Sequence, residues 1–356
     1  MAQVITNLAT DVTAPINNVL MRGLLNAAKR TFPYFAGSVP GILENNQGSL
    51  TLRWDRIDNL SAATTALTEL LGNAAFGMGR DLVNPSVSNV TATVSKYGNA
   101  IGITEELDFT QVNYRAARFL DNLGENAGHS LNLLQRDILD AATTVRLASS
   151  ATTVTGIVTA IDDNDIASAV NTLGRNSALK FFPNGFGSTN VGTSPIRSSY
   201  YGINHVDLTN DIRGISGFVS AEQYGGYTQL EVGEYGTVKG VRWIETEVGS
   251  IATSGGTTTA TNMRGSTNIL NDIYSTVIFG REAHGSVGLG GQYPEAAYMG
   301  GDSLPAVELI QHPPGSSGVG DAFNELGSLA WKAFHAGVIL NQNFIVRVRS
   351  TATDPV

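Results

Sequence analysis

The chain has 356 residues, a formal net charge of −9 at pH 7, no cysteine, and 15% charged residues. Its length suffices for two ordinary domains or one irregular one with extensions. The acidic balance excludes a basic footprint spread over the whole chain as a grip on nucleic acid, and the missing thiols exclude disulfides, thiolate metal sites and cysteine nucleophiles.

Ordinary soluble domains carry roughly 25% charged residues. A chain this far below that figure, with 40 glycines, has either a neutral glycine- and threonine-rich β-protein surface or a surface largely covered by copies of itself. The start Met1-Ala2-Gln3-Val4-Ile5-Thr6 has neither the basic residues nor the apolar run of a secretory leader. No segment reaches the roughly 18 apolar residues that span a bilayer. Use in a cytosol or a particle, with no membrane partner, is the expectation.

Residues 1–47 read as an extended arm with a short helix. Ile16, Leu20 and Leu24 keep helical spacing, and Arg22, Lys29 and Arg30 add positive charge before Pro33 breaks the pattern. Residues 48–60 alternate, with Leu50, Leu52 and Trp54 on one face and Thr51, Arg53 and Asp55 on the other. Val90-Thr91-Ala92-Thr93-Val94-Ser95 answers them within a return strand over 87–105. Between the two, 61–85 predicts a loop with a helical turn or two. An isolated two-stranded ribbon buries too little apolar surface to be stable in water, so Leu50, Leu52 and Trp54 are expected to be buried on a second chain.

A long helix is predicted from about Phe109 to Leu147, because Val112, Ala116, Leu120, Leu123, Ala127, Leu131, Leu134, Ile138, Ala142 and Val145 step by three or four. At 1.5 Å per residue it would be about 55 Å long. Gly124 and Gly128, one turn apart, either permit close packing or mark a bending point.

Residues 151–250 read as mixed α/β. Asp162-Asp163-Asn164-Asp165 caps a helix through Ile166, Val170 and Leu173, and Gly240 to Glu245 forms a strand. After a surface excursion at 251–266, strands resume at Tyr274–Gly280 and Ala306–Gln311. Leu329–Leu340 and Phe344–Arg349 read as a closing hairpin with a partly basic face at Arg347 and Arg349.

No catalytic, metal or cofactor constellation emerges. His129, His205, His284, His312 and His335 are scattered, and none has the spacing of a helical zinc site. Asp162 to Asp165 lacks the turn glycine and distal glutamate of a calcium loop. Gly288-Leu289-Gly290-Gly291 lacks the third glycine and the Lys-Ser/Thr of a phosphate cradle.

Three stretches carry a resemblance. They are Gly48-Ser49-Leu50-Thr51-Leu52-Arg53-Trp54 with Thr65-Ala66-Leu67-Thr68-Glu69 behind it, Ala92-Thr93-Val94-Ser95-Lys96-Tyr97-Gly98 before the long helix, and Gly327-Ser328-Leu329-Ala330-Trp331-Lys332 near the end. In their order and spacing the chain resembles the major capsid proteins of tailed bacteriophages, over nearly its whole length. The resemblance implies an α+β, Hong Kong 97-like fold. Its parts would be an N-terminal arm (1–47), an E-loop hairpin and its base (48–105), a peripheral domain with the spine helix (106–154), a mostly axial domain (155–305), and strands returning to the peripheral domain (306–356).

The function so implied is that of a structural protein, not an enzyme, without cofactor. It assembles with copies of itself as hexamers and pentamers into an icosahedral shell around double-stranded DNA held without sequence readout, in the virion and earlier in the host cytoplasm. Because the chain starts close to the arm, a separate scaffolding protein is expected, with a portal and a decoration protein as further partners. Leu50, Leu52, Arg53, Trp54, Asp55 and Arg56 are the expected intersubunit E-loop contacts, and Gly124 and Gly128 the flexing points of the spine. Arg22, Lys29, Arg30, Arg347 and Arg349 are candidates for facing DNA or pairing with acidic residues of a neighbour. The same fold would serve as the shell of a bacterial nanocompartment enclosing a cargo enzyme, and a β-rich phage tail or adhesion protein would suit the composition.

Overall fold

The computed structural model describes residues 33–42, 49–57, 60, 62, 64, 86–106, 116–181, 198–224, 231–256, 263–265, 270–288, 307–312, 323 and 325–354. The predicted helix at Ile16–Leu24 and the helical turns within 61–85 lie outside them. A 3-10 turn at Pro33–Phe35 leads into β1 (Val39–Ile42). Next come β2 (Thr51–Ile57) and β3 (Val87–Thr93), which form a separate two-stranded antiparallel ribbon running from Thr51 opposite Thr93 to Ile57 opposite Val87. β4 (Ser95–Thr104) follows after the single residue Val94 and belongs to another sheet. The return strand predicted as one piece over 87–105 is therefore two, because Val94 is buried and turns the chain from the ribbon into the body.

Helix α1 (Ala116–Asp140) has 25 residues, a length of about 37 Å. The helix predicted to run to Leu147 stops at Asp140. Thr143, Thr144 and Val145 are β-branched and favour extended backbone, and β5 (Val145–Leu147) begins there in a parallel pairing with the C-terminal strand. Helical spacing at Ala142 and Val145 was thus fortuitous: Ala142 is buried against a sheet and Val145 is exposed.

Helix α2 (Asp163–Arg175) starts as its residues predict. The Asp162 side chain accepts from the Asp165 amide at 2.8 Å, and Ile166, Ala169 and Leu173 are buried. The chain continues through β6 (Tyr200–His205), α3 (Thr209–Arg213), β7 (Val219–Ser220), β8 (Glu234–Val238), β9 (Val241–Thr246) and β10 (Ser250–Ala252). It closes with β11 (Ile273–Phe279), β12 (His284–Gly288), β13 (Val307–His312), β14 (Leu326–His335), β15 (Gly337–Ile339) and β16 (Ile345–Ser350).

An eight-stranded sheet runs β5-β16-β11-β6-β9-β8-β7, with β10 also on β11. Both faces of its centre are covered, so β11 is apolar on both sides. On one face α2 packs Ile166 and Leu173 against Trp243, Ile278 and Val348. On the other, Leu139 and Ala142 meet Ile203, Phe279 and Ile345. A three-stranded sheet, β13-β14-β4, gives Leu329, Trp331 and Ala333 to Leu120, Leu123, Ala127 and Leu131 of α1. One helix thus contributes to the cores of both sheets. A further sheet, β1-β12-β15, lies where the ribbon meets the body.

The closing hairpin is not formed. β14, β15 and β16 enter three different sheets, and the break at Ala336 and the 3-10 turn at Gln342–Phe344 redirect the chain each time. β16 is buried on both faces, since Ile345 packs on the α1 side and Val346 and Val348 on the α2 side.

Candidate assembly interface

The ribbon meets its own body with the face expected to bury on another chain. Leu52 and Trp54 are half-buried and pack with Val94, Phe334 and Ala336 of the same chain, so the subunit itself covers part of that face. The reason lies in the β1–β12 pairing, where Val39 faces Gly285 and Gly41 faces the residue two further on. The two glycines are diagonal neighbours without side chains, and the Trp54 indole lies over them. A Cβ built on Gly285 would come within 3.3 Å of the ring, and one built on Gly41 would overlap Trp54 Cζ2.

Exposed apolar surface sits elsewhere on the ribbon. Leu50, at the ribbon's base, is 56% exposed. Ile57 and Val87, opposite one another in the register, are 67% and 52% exposed at the other end of the described ribbon. Their side chains share the face of Thr51, Arg53 and Asp55, which alternation assigned to solvent, and Arg53 and Asp55 pair with each other there at 2.7 Å. Arg56 lies on the other face, half-buried. Ile57 was findable, since it is the one large apolar residue in the polar phase of β2. Phe323, before β14, is 82% exposed and carried no signal.

Gly124 and Gly128 are buried within the continuous α1. The C-terminal end of this helix is bound to the large sheet through Asp140. Its carboxylate accepts from Ser250 Oγ at 3.0 Å and from Ser275 Oγ, and lies 3.2 Å from Arg347. Arg347 also donates to the Asp140 carbonyl, one of the acceptors a helix end leaves unpaired. Arg347 is thus engaged within its own subunit, with its side chain 13% exposed. Arg349, on the same face of β16, is half-buried and makes no ion pair among the described residues. Arg22, Lys29 and Arg30 lie outside the described residues.

Among the described residues some buried polar atoms, such as Gln135 Oε1 and Nε2, Trp243 Nε1 and Thr276 Oγ1, have no hydrogen-bond partner, whereas others are paired or held neutral. Arg242 and Glu234 form a buried bidentate pair between β9 and β8, with Tyr224 also donating to Glu234 at 3.3 Å. Burial pushes His284 and His335 down to about 4, so both rings are neutral at pH 7; Phe35 lies 5.6 Å from the His335 ring and Phe279 4.9 Å from that of His284. Burial and the neighbouring Asp162 carboxylate push Asp165 up to about 6, against the pull of Arg146 at 3.8 Å. Among the described residues, no three His, Asp or Glu side chains gather to hold a metal, and no helix is long and apolar enough to cross a membrane.

No protein-family model matches the chain, and no curated protein matches it in sequence. Solved structures do match in fold. The capsid of Ralstonia phage GP4 is similar with a TM-score of 0.56 at 10% identity, covering 92% of this chain and 93% of that one. The head structure of Helicobacter pylori bacteriophage KHP40 gives 0.53 at 12% identity, with 91% of each chain covered. The holo-SrpI encapsulin complex from Synechococcus elongatus PCC 7942 gives 0.51 at 8% identity, covering 89% of this chain and 87% of that one. The chain has the α+β, Hong Kong 97-like fold.

Proposed function

We propose that this chain is the coat subunit of a tailed phage, assembling into an icosahedral shell around double-stranded DNA. The observation that carries the reading is the capsid fold over about nine-tenths of the chain, combined with a ribbon that displays the Leu50 and Ile57–Val87 apolar surface. In this reading 1–47 is the arm, 48–105 the E-loop and its base, 106–154 the peripheral domain with the α1 spine, 155–305 mostly the axial domain, and 306–356 the returning strands. In this reading β16, which pairs with β5 and β11 in the large sheet, would join the last segment to both bodies. The role is structural, without a catalytic centre.

Assembly then rests on weak contacts made many times. Full burial of a large apolar side chain contributes about 1.5–3 kcal/mol before ordering costs, so one ribbon binds reversibly and only closure of the shell makes the set permanent. Arg22, Lys29, Arg30 and Arg349 remain the basic residues available to DNA phosphates or to acidic groups of a neighbour. A separate scaffolding protein, a portal and a decoration protein complete the partners, with assembly in the host cytoplasm.

The likeness to the encapsulin supports a second reading, a nanocompartment shell enclosing protein. Electron microscopy of the chain expressed alone and with its scaffold, followed by assay of purified particles for DNA and for cargo protein, separates the two. Closed particles holding DNA support the coat subunit, particles holding one protein support the compartment, and a persistent monomer overturns both.

A further inference from the structure

We propose that Trp54, seated on Gly41 and Gly285, is a positioning residue for assembly: it sets the angle at which the ribbon leaves the body and hence the curvature of the shell. The inference rests on the shell reading above.

The ribbon's backbone ladder does not extend into the body. β2 pairs with β3 and β3 with β2, and the next residue, Val94, is the joint at which the chain enters β4. A two-stranded ribbon joined to the body only at its base is free to tilt unless side chains stop it. Leu52 packs at the joint itself, beside Val94 and Ala336. Trp54 reaches further, two residues along the strand, onto the β1–β12 pair. Beside it a cleft of about 490 Å³ separates Arg56 and Val90 of the ribbon from Asn176, Leu179 and Phe344 of the body. The ribbon thus has room to swing, and the indole is a spacer that stops it.

The stop is rigid because of what it rests on. An indole has two rotatable bonds, and its plane bears on backbone that presents no side chain to give way. A methyl on Gly41 overlaps Cζ2, so the ring has to retreat by about 1 Å to regain van der Waals distance. Strands rise about 3.4 Å per residue, which puts the ring roughly 14 Å from the ribbon's start at Leu50, and the retreat becomes a tilt of roughly 4°. A neighbour reads the ribbon at Ile57 and Val87, where the error is larger still. Around a closed shell the same error recurs at every subunit.

The test compares the natural chain with Gly41→Ala, Trp54→Phe and the double variant, in two measurements. The chain has no cysteine, so spin labels on Val87→Cys and Glu222→Cys report one distance between ribbon and body. Gly41→Ala is expected to shift or broaden that distance by roughly 2 Å, and Trp54→Phe, which removes the atom the methyl meets, to restore it. Imaged after co-expression with scaffold, Gly41→Ala is expected to cut the share of correctly sized particles at least severalfold, with recovery in the double variant. An unchanged distance in Gly41→Ala overturns the proposal whether or not particles form. So does a shifted distance with normal particles, or a double variant as defective as Gly41→Ala. Failure of the natural chain to form any shell defeats the shell reading instead, and the label distance still decides the seat.

Discussion

Arg347 closes the end of α1: it donates to the carbonyl of Asp140 and lies 3.2 Å from the same residue's carboxylate, across 207 residues of chain. The spine is thereby bound to β16, the second strand from the edge of the large sheet, by a charge-assisted contact. Arg347→Met leaves the Asp140 carboxylate with Ser250 and Ser275 alone, in a site with limited solvent. A loss of about 2–4 kcal/mol is expected in urea unfolding of the subunit, with unchanged DNA retention by any particles that form. Weaker DNA retention at undiminished stability would return Arg347 to the lumen.

The buried imidazoles give the subunit an acid limit. Each is held near 4 in the fold against 6.5 unfolded, so its contribution is complete above about pH 6.5 and is lost as the pH falls toward 4. At pH 5 the loss is about 2 kcal/mol per ring, and His335→Phe should remove one share of it. Asp165 has the opposite sign. Raised from 3.8 to about 6, it is least costly when protonated, and its cost grows as the pH rises through that window. Asp165→Asn should therefore stabilise by about 2 kcal/mol more at pH 7 than at pH 4. Unfolding curves between pH 4 and pH 8 check both slopes.

Replacing Ile57 and Val87 by Ser should leave the unfolding midpoint within about 0.5 kcal/mol of the natural chain, because both side chains are already in water. The same change should prevent shell closure, scored by negative-stain imaging. Leu52→Ser should instead destabilise the subunit before any effect on assembly is read, since it opens the cluster at Val94 and Ala336. Intact particles from the Ile57/Val87 variant would move the intersubunit contact to another surface.

Gly124→Ala with Gly128→Ala should raise helix propensity by about 1 kcal/mol at each position while stiffening the spine. Slower conversion from procapsid to expanded shell, followed by time-resolved scattering, is the expected outcome. Conversion at the natural rate would leave these buried glycines to packing alone.

What the residues disclosed in advance was local. The ribbon's alternation, the stripe of α1 from Leu120 to Leu131 and the Asp162 cap depend on neighbours within a few positions, and each stands where expected. What they concealed was long-range. Ala142 and Val145 continued the helical stripe although β5 was to be drawn off by a strand 200 residues later. Arg347 looked like surface because its partner is equally distant in sequence. Trp54 showed itself as a large apolar residue needing cover, but nothing near it revealed that the cover was the bare backbone of Gly41 and Gly285.

The single residue between β3 and β4 has a mechanical consequence. A tug on the ribbon along its length passes through Val94 directly into β4, whose ten residues are paired in register with β14 from Ser95 opposite His335 to Thr104 opposite Leu326. Load applied along a strand strains all rungs of its ladder together, whereas load across it unzips them one at a time. In the proposed shell, pressure from inside, transmitted by a neighbour's grip on the ribbon, would thus be resisted by the whole ladder at once.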